Sequence, residues 1–161
     1  MAFTQRLPAN TPTVAHFTLS LTAEERTRSH HHFHTDEGQG IHLQLPRGTV
    51  LYHGDLLTTE AGEWVVRIVA KPEPVITATA HTPLELLRAA YHLGNRHVPL
   101  EVQVDYLRLS TDPVLKLMLI QIGLQVTEAT LPFQPEAGAY QERAGSQHHS
   151  HSHDPAHHHL S

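Results

Sequence analysis

Residues 82–97 read Thr-Pro-Leu-Glu-Leu-Leu-Arg-Ala-Ala-Tyr-His-Leu-Gly-Asn-Arg-His, and this stretch decides the architecture of the second half of the chain. Thr82, Pro83 and Glu85 form a capping-box pattern with proline at the first helical position, where a missing N–H costs nothing. Leu86, Leu87, Ala90 and Leu93 recur at helical spacing, and Gly94 is the expected stop. Asp112-Pro113 repeats the start signal 30 residues after Pro83, and Gly123 repeats the stop. Around these two helices, residues 75–80, 99–104, 106–109 and 124–131 read as strands. Strand–helix–strand, taken twice with right-handed crossovers, predicts a four-stranded sheet with both helices on one face, the ferredoxin-like βαββαβ arrangement. That fold hosts many unrelated activities and by itself points to none.

Upstream the period changes. Ala15, Phe17, Leu19 and Leu21 alternate with polar neighbours, as do Ile41, Leu43 and Leu45. Residues 51–57 are interrupted at His53-Gly54-Asp55, and residues 64–70 are rich in valine and isoleucine. Turn residues at 36–40, 46–48 and 60–63 separate these pieces. Residues 1–73 therefore read as a small all-β domain, which makes the chain α+β overall. Residues 1–10 mix Gln5, Arg6 and Pro8 with few apolar side chains, and no secretory leader is expected there. Pro72 and Pro74 stiffen the chain at the expected boundary. The second domain is expected over residues 74–142. Residues 143–161 hold only one large aliphatic side chain, Leu160, and read as a disordered histidine-rich tail.

Composition narrows the function. The chain has 161 residues, 39% of them hydrophobic, which suits a folded body of ordinary domain size. A net charge of -5 offers no basic field to phosphate backbones, and Tyr106 alone among residues 100–109 can stack a base, so nucleic acid is not the expected partner. With no cysteine, any bound metal must rest on nitrogen and oxygen. No apolar run approaches the ~18 residues of a membrane span, and a soluble, cytoplasmic protein is expected.

Histidine is the anomaly: 17 of them outnumber the 11 lysines and arginines. Imidazole is the commonest protein metal ligand and suits nickel, copper and zinc. Seven form the tail set His148, His149, His151, His153, His157, His158 and His159. Joined by Asp154, they can wrap a borderline cation in several interchangeable ligand sets, which suits capture and hand-over. Interruptions by Ser, Asp, Pro and Ala argue against a purification tag. A second group, His30, His31, His32 and His34, precedes a turn with His42 beyond it. On a strand His30, His32 and His34 share a face, and His42 joins them if the register permits; a solvated strand face is the plainer alternative. His97 ends the Gly-Asn-Arg-His sequence as a single loop imidazole, and one imidazole completes no site. Two-fold dimerisation brings two copies to one axis, where they can share an ion with the tail histidines. No nucleophile elbow, His-Glu-x-x-His or phosphate loop is present, which favours a binding protein over an enzyme such as a metal-dependent hydrolase.

Three segments together resemble a known family: residues 45–51 (Leu-Pro-Arg-Gly-Thr-Val-Leu) with Gly54-Asp55, residues 91–97 (Tyr-His-Leu-Gly-Asn-Arg-His), and residues 131–140 (Leu-Pro-Phe-Gln-Pro-Glu-Ala-Gly-Ala-Tyr). From about Thr18 to Tyr140 the chain resembles UreE, the urease accessory metallochaperones for nickel. The resemblance implies an N-terminal β domain and a ferredoxin-like metal-binding domain. It further implies a homodimer with His97 as the interfacial nickel ligand. Implied partners are the GTPase accessory protein and, through it, the apo-urease assembly complex. Some members carry further ligand histidines just before the second helix, where this chain has Ser110, Thr111 and Pro113, so no auxiliary site is expected there. Tails vary in the family, and the cluster at His30 to His34 is not one of its hallmarks. Copper and zinc are expected to bind in vitro alongside Ni(II), since nickel lies below copper in intrinsic affinity. A histidine-rich nickel or zinc buffer is the alternative reading.

Overall fold

The computed structural model describes residues 1–138, and the tail histidines lie outside them. Among the described residues the elements run β1 (Ala2–Arg6), β2 (Phe17–Leu21), a 3-10 turn (Glu25–Thr27), β3 (His30–His34), β4 (Gly40–Gln44), β5 (Leu56–Thr59), β6 (Val65–Ala70), β7 (Glu73–Thr79), α1 (Pro83–Asn95), β8 (Glu101–Val102), β9 (Leu107–Ser110), α2 (Pro113–Gln121) and β10 (Gln125–Leu131). The architecture is mixed α+β, with two sheets and two helices.

The first sheet has six strands in the order β2-β6-β5-β1-β4-β3. Inward residues alternate along its strands, and Phe3, Leu19, Leu21, Phe33, Ile41, Leu43, Leu57, Val66 and Ile68 fill one apolar core. Its two edges approach each other through the turn after β3. The Asp36 amide donates to the Thr18 carbonyl (2.8 Å), the Thr18 amide donates to the Glu37 carboxylate (3.0 Å), and Ser20 Oγ bonds Asp36 Oδ2 (2.8 Å). The sheet is thereby nearly a barrel, and its edges are covered.

One strand of this half has no counterpart in the sequence pattern. Residues 2–6 form a strand inside the sheet, parallel to β4 and antiparallel to β5. A single large apolar residue, Phe3, anchors it in the core with no exposure at all. One buried residue in five is too little alternation to stand out in the sequence. Strand β2 also starts later than the pattern suggests, at Phe17 rather than near Ala15.

The second sheet runs β10-β7-β9-β8 with every neighbouring pair antiparallel. Ile76, Ala78, Leu107 and Leu109 share a core with Leu86, Ala89 and Leu93 of α1 and Leu119 of α2, so both helices pack on the same face. Both start where their caps direct. Thr82 accepts the Glu85 amide (3.3 Å), and Asp112 accepts the amides of Val114 (2.8 Å) and Leu115 (3.0 Å). Strand β8 is only Glu101–Val102, shorter than the expected 99–104, because residues beyond it turn back at once into β9. Residues 132–136 lie across both halves. Phe133 is buried and its carbonyl accepts from the Arg26 guanidinium, Gln134 Oε1 accepts the His53 amide (3.0 Å), and the Gln134 amide donates to Glu101 (2.8 Å). Among the described residues no helix is long and apolar enough to cross a membrane.

Candidate metal centre

The end of α1 differs from its expected form. Gly94 lies inside the last turn rather than closing the helix, and the left-handed residue just beyond the helix is His97, with φ 56°. The His97 amide donates to the Gly94 carbonyl (3.0 Å) and the Val98 amide to the Leu93 carbonyl (3.2 Å). These two bonds make a Schellman cap, with Leu93 and Val98 meeting in the core beneath it. Helix α2 ends in the same motif: Gly123 donates to Ile120 (3.0 Å), Leu124 donates to Leu119 (3.0 Å), and the left-handed residue is Gly123, φ 97°. Glycine occupies this conformation without penalty, whereas a residue with a Cβ is strained by about 1–2 kcal/mol. At one of two equivalent caps, then, the chain keeps an imidazole where glycine would be easier.

His97 is exposed and lies at the rim of a cleft of about 400 Å³ between the two halves, which Arg26, Tyr52, Pro99, Gln134 and Glu136 also line. The rim is braced from below. Buried Glu101 accepts from Tyr106 Oη (3.0 Å), from Arg108 Nη1 (3.4 Å) and from the Gln134 amide, while Arg108 lies over the Tyr106 ring at 4.6 Å. Burial, then the bond to Glu101, raises the Tyr106 hydroxyl above its ordinary pKa. Burial lowers that of the Arg26 guanidinium, which clamps residue 133. A stripe of exposed apolar residues, Leu84, Leu87 and Tyr91, runs along α1 toward the His97 turn, and α2 exposes Val114, Leu117 and Ile120. Leu84, Leu87 and Tyr91 fall on successive turns and so share one face of α1.

Hydrogen bonds sort the scattered histidines. His16 Nδ1 accepts the Val65 amide (3.0 Å) and His53 Nδ1 accepts the Ala70 amide (3.1 Å), so both rings are committed to backbone. The register of β3 with β4, which sequence leaves open, places His32 opposite His42, His30 opposite Gln44 and His34 opposite Gly40. His32 and His42 have ring centroids 4.5 Å apart, and His32 and His34 5.3 Å. His31 lies on the other face, against Phe33 at 4.5 Å and near Arg28 Nη1 at 3.3 Å. Although its ring is exposed, His32 sits below the ordinary imidazole pKa. The neighbouring atoms strip water from it, and His42, His34, His31 and the N-terminal amine add like charge. Among the described residues no three His, Asp or Glu side chains are gathered closely enough to hold an ion as they stand. Among the described residues His97 therefore belongs to no such group. The tail candidates His148, His149, His151, His153, His157, His158 and His159 fall outside the described residues.

The His97 turn thus joins a strained, exposed imidazole to an apolar stripe on α1. Comparison with known proteins defines the class of the protein. The family model described as UreE urease accessory protein, N-terminal domain, matches residues 3–71, and the one described as UreE urease accessory protein, C-terminal domain, matches residues 73–159. The chain is 58% identical to the urease accessory protein UreE of Nostoc punctiforme over 94% of its own length and 99% of that protein. Against the protein of the same name from Thermosynechococcus vestitus the identity is 54%, covering 85% of this chain and 95% of the relative. For that of Burkholderia vietnamiensis it is 51%, covering 85% and 66%. The chain belongs to the UreE family of urease accessory proteins, and it is not itself an enzyme.

Proposed function

We propose that the chain is a homodimeric nickel metallochaperone in which His97 from each subunit grips one shared Ni(II). The observation that carries this reading is the imidazole kept at a left-handed cap that its twin helix gives to glycine. Strain of this kind persists where function requires the side chain. The exposed stripe Leu84, Leu87 and Tyr91 supports a two-fold contact that places the two turns together. On this reading residues 74–142 form a ferredoxin-like metal-binding domain, supported by the strand order β10-β7-β9-β8 and the helices on one face. Residues 1–73 form the β domain, and the histidine-rich residues 143–161, which lie outside the described residues, raise ion capacity.

Delivery is ligand exchange. Two imidazoles leave most of the coordination sphere open, so an incoming protein ligand can enter before an outgoing one leaves. The dimer docks on the GTPase accessory protein in the cytoplasm and passes nickel toward the apo-urease complex. Copper and zinc also bind, because affinity cannot favour nickel over copper; availability and docking must do so. The test is urease activation by the full chain, by His97→Ala and by a chain ending at Tyr140. Loss with His97→Ala and retention in the truncated chain support delivery. The reverse pattern identifies a histidine-rich nickel or zinc buffer instead.

A further inference from the structure

The face of the six-stranded sheet that β3 and β4 turn to solvent carries an arrangement that delivery by His97 does not use. Along it the cross-strand rows read His30 with Gln44, His32 with His42, and His34 with Gly40. All of the histidines in these rows are exposed, while Phe33, Ile41 and Leu43 on the opposite face are buried and fix the register.

We propose that His32, His34 and His42 form a second divalent-cation site, one per chain, for a nitrogen-preferring ion such as Ni(II), Cu(II) or Zn(II). The site lies wholly within one chain and needs no partner subunit.

Ring spacing supports it first. With metal–nitrogen bonds of about 2.1 Å and each ring centroid roughly 1.1 Å beyond its bound nitrogen, two imidazoles on one ion hold their centroids roughly 4.5–5.2 Å apart at octahedral or tetrahedral angles. The observed separations are 4.5 Å for His32–His42 and 5.3 Å for His32–His34. The second support is the space at Gly40. A Cβ there would stand 3.5 Å from His32 Nε2 and 3.8 Å from His34 Nε2, so two imidazole nitrogens flank one point that glycine leaves empty. As they stand the three rings are not gathered on one point; on this proposal the exposed rings turn about their side-chain torsions, a motion of picoseconds to nanoseconds, to bring the third nitrogen in. The donor set is three nitrogens with the remaining positions open to water, which suits a borderline first-row ion and not calcium or magnesium.

The test uses the ¹⁵N-labelled full chain with Cu(II) alone, read as paramagnetic broadening of backbone amides at substoichiometric metal, with Zn(II) affinity measured in parallel. Broadening at residues 31–34 and 40–43 is expected in the full chain and in His97→Ala. It should vanish in His32→Ala/His42→Ala and persist in His31→Ala, whose ring lies on the other face. Gly40→Val keeps every imidazole but fills the space between two of them, and should weaken Zn(II) binding at this site at least tenfold. An unchanged thermal midpoint in each variant shows that the sheet is intact. Broadening that survives in the double variant, or disappears equally in His31→Ala, overturns the proposal. Because the His97 turn reports separately through residues 96–98, failure of this site and failure of the shared-nickel reading are told apart.

Discussion

His97→Gly should stabilise the metal-free protein relative to His97→Ala while both variants lose the shared nickel ion. The His97 φ of 56° costs a residue with a Cβ about 1–2 kcal/mol, and glycine escapes that cost. Glycine gives back roughly 0.5–1 kcal/mol through its larger unfolded-state entropy. The imidazole is exposed, so removing it takes away little packing, and Gly should exceed Ala by about 1 kcal/mol or somewhat less. Urea unfolding in the presence of chelator, at fixed protomer concentration, reads this directly, since bound metal or a shifted dimer equilibrium would otherwise mask it. In a protein of this size the difference corresponds to a rise of roughly 2–4 °C in Tm. Gly123 supplies the converse control: Gly123→Ala imposes the same penalty on the α2 cap and should lower stability by about 1 kcal/mol. A His97→Gly protein no more stable than His97→Ala, with Gly123→Ala behaving as a normal cap loss, would refute the claim that strain is held at this turn for the sake of the imidazole.

Phe3→Ala removes the one anchor of β1 from the core and should cost about 3–5 kcal/mol by chemical denaturation; a loss under 1 kcal/mol would mean that β1 is not seated in the sheet. Nickel loading should fall as pH drops from 8 to 5, through the region near 6.5 where imidazole gains the proton that excludes metal, and unchanged stoichiometry across that range would contradict a histidine-held ion. Ending the chain at Tyr140 should lower the number of ions bound, counted by mass, while leaving most urease activation in place.

Much of the second half was legible because its signals are local. Thr82 and Asp112 cap helices within three residues of themselves, and the apolar spacing of Leu86 and Leu93 follows from the 3.6-residue turn. The cap at His97 was not legible, since Gly94 offers the usual stop and only backbone geometry shows the helix running past it to Asn95. Strand β1 was missed for a related reason: it is held by partners some 40 and 55 residues away in sequence, His42 and Thr59, and not by its own pattern. At the histidine ladder, alternation gave the shared face of His30, His32 and His34, while the pairing of His32 with His42 depends on a register that the turn at 35–39 sets. The exposure of Leu84, Leu87 and Tyr91 was not legible either, because helical spacing shows that they share a face but not whether another element covers it.

The most direct test counts nickel on the intact dimer by native mass measurement at limiting metal, for the full chain and for His97→Ala. One ion held between two subunits, absent from the variant while its dimer persists, is the predicted result. A polypeptide that stays monomeric at every loading, or a variant that binds the same first ion with the same affinity, would contradict it.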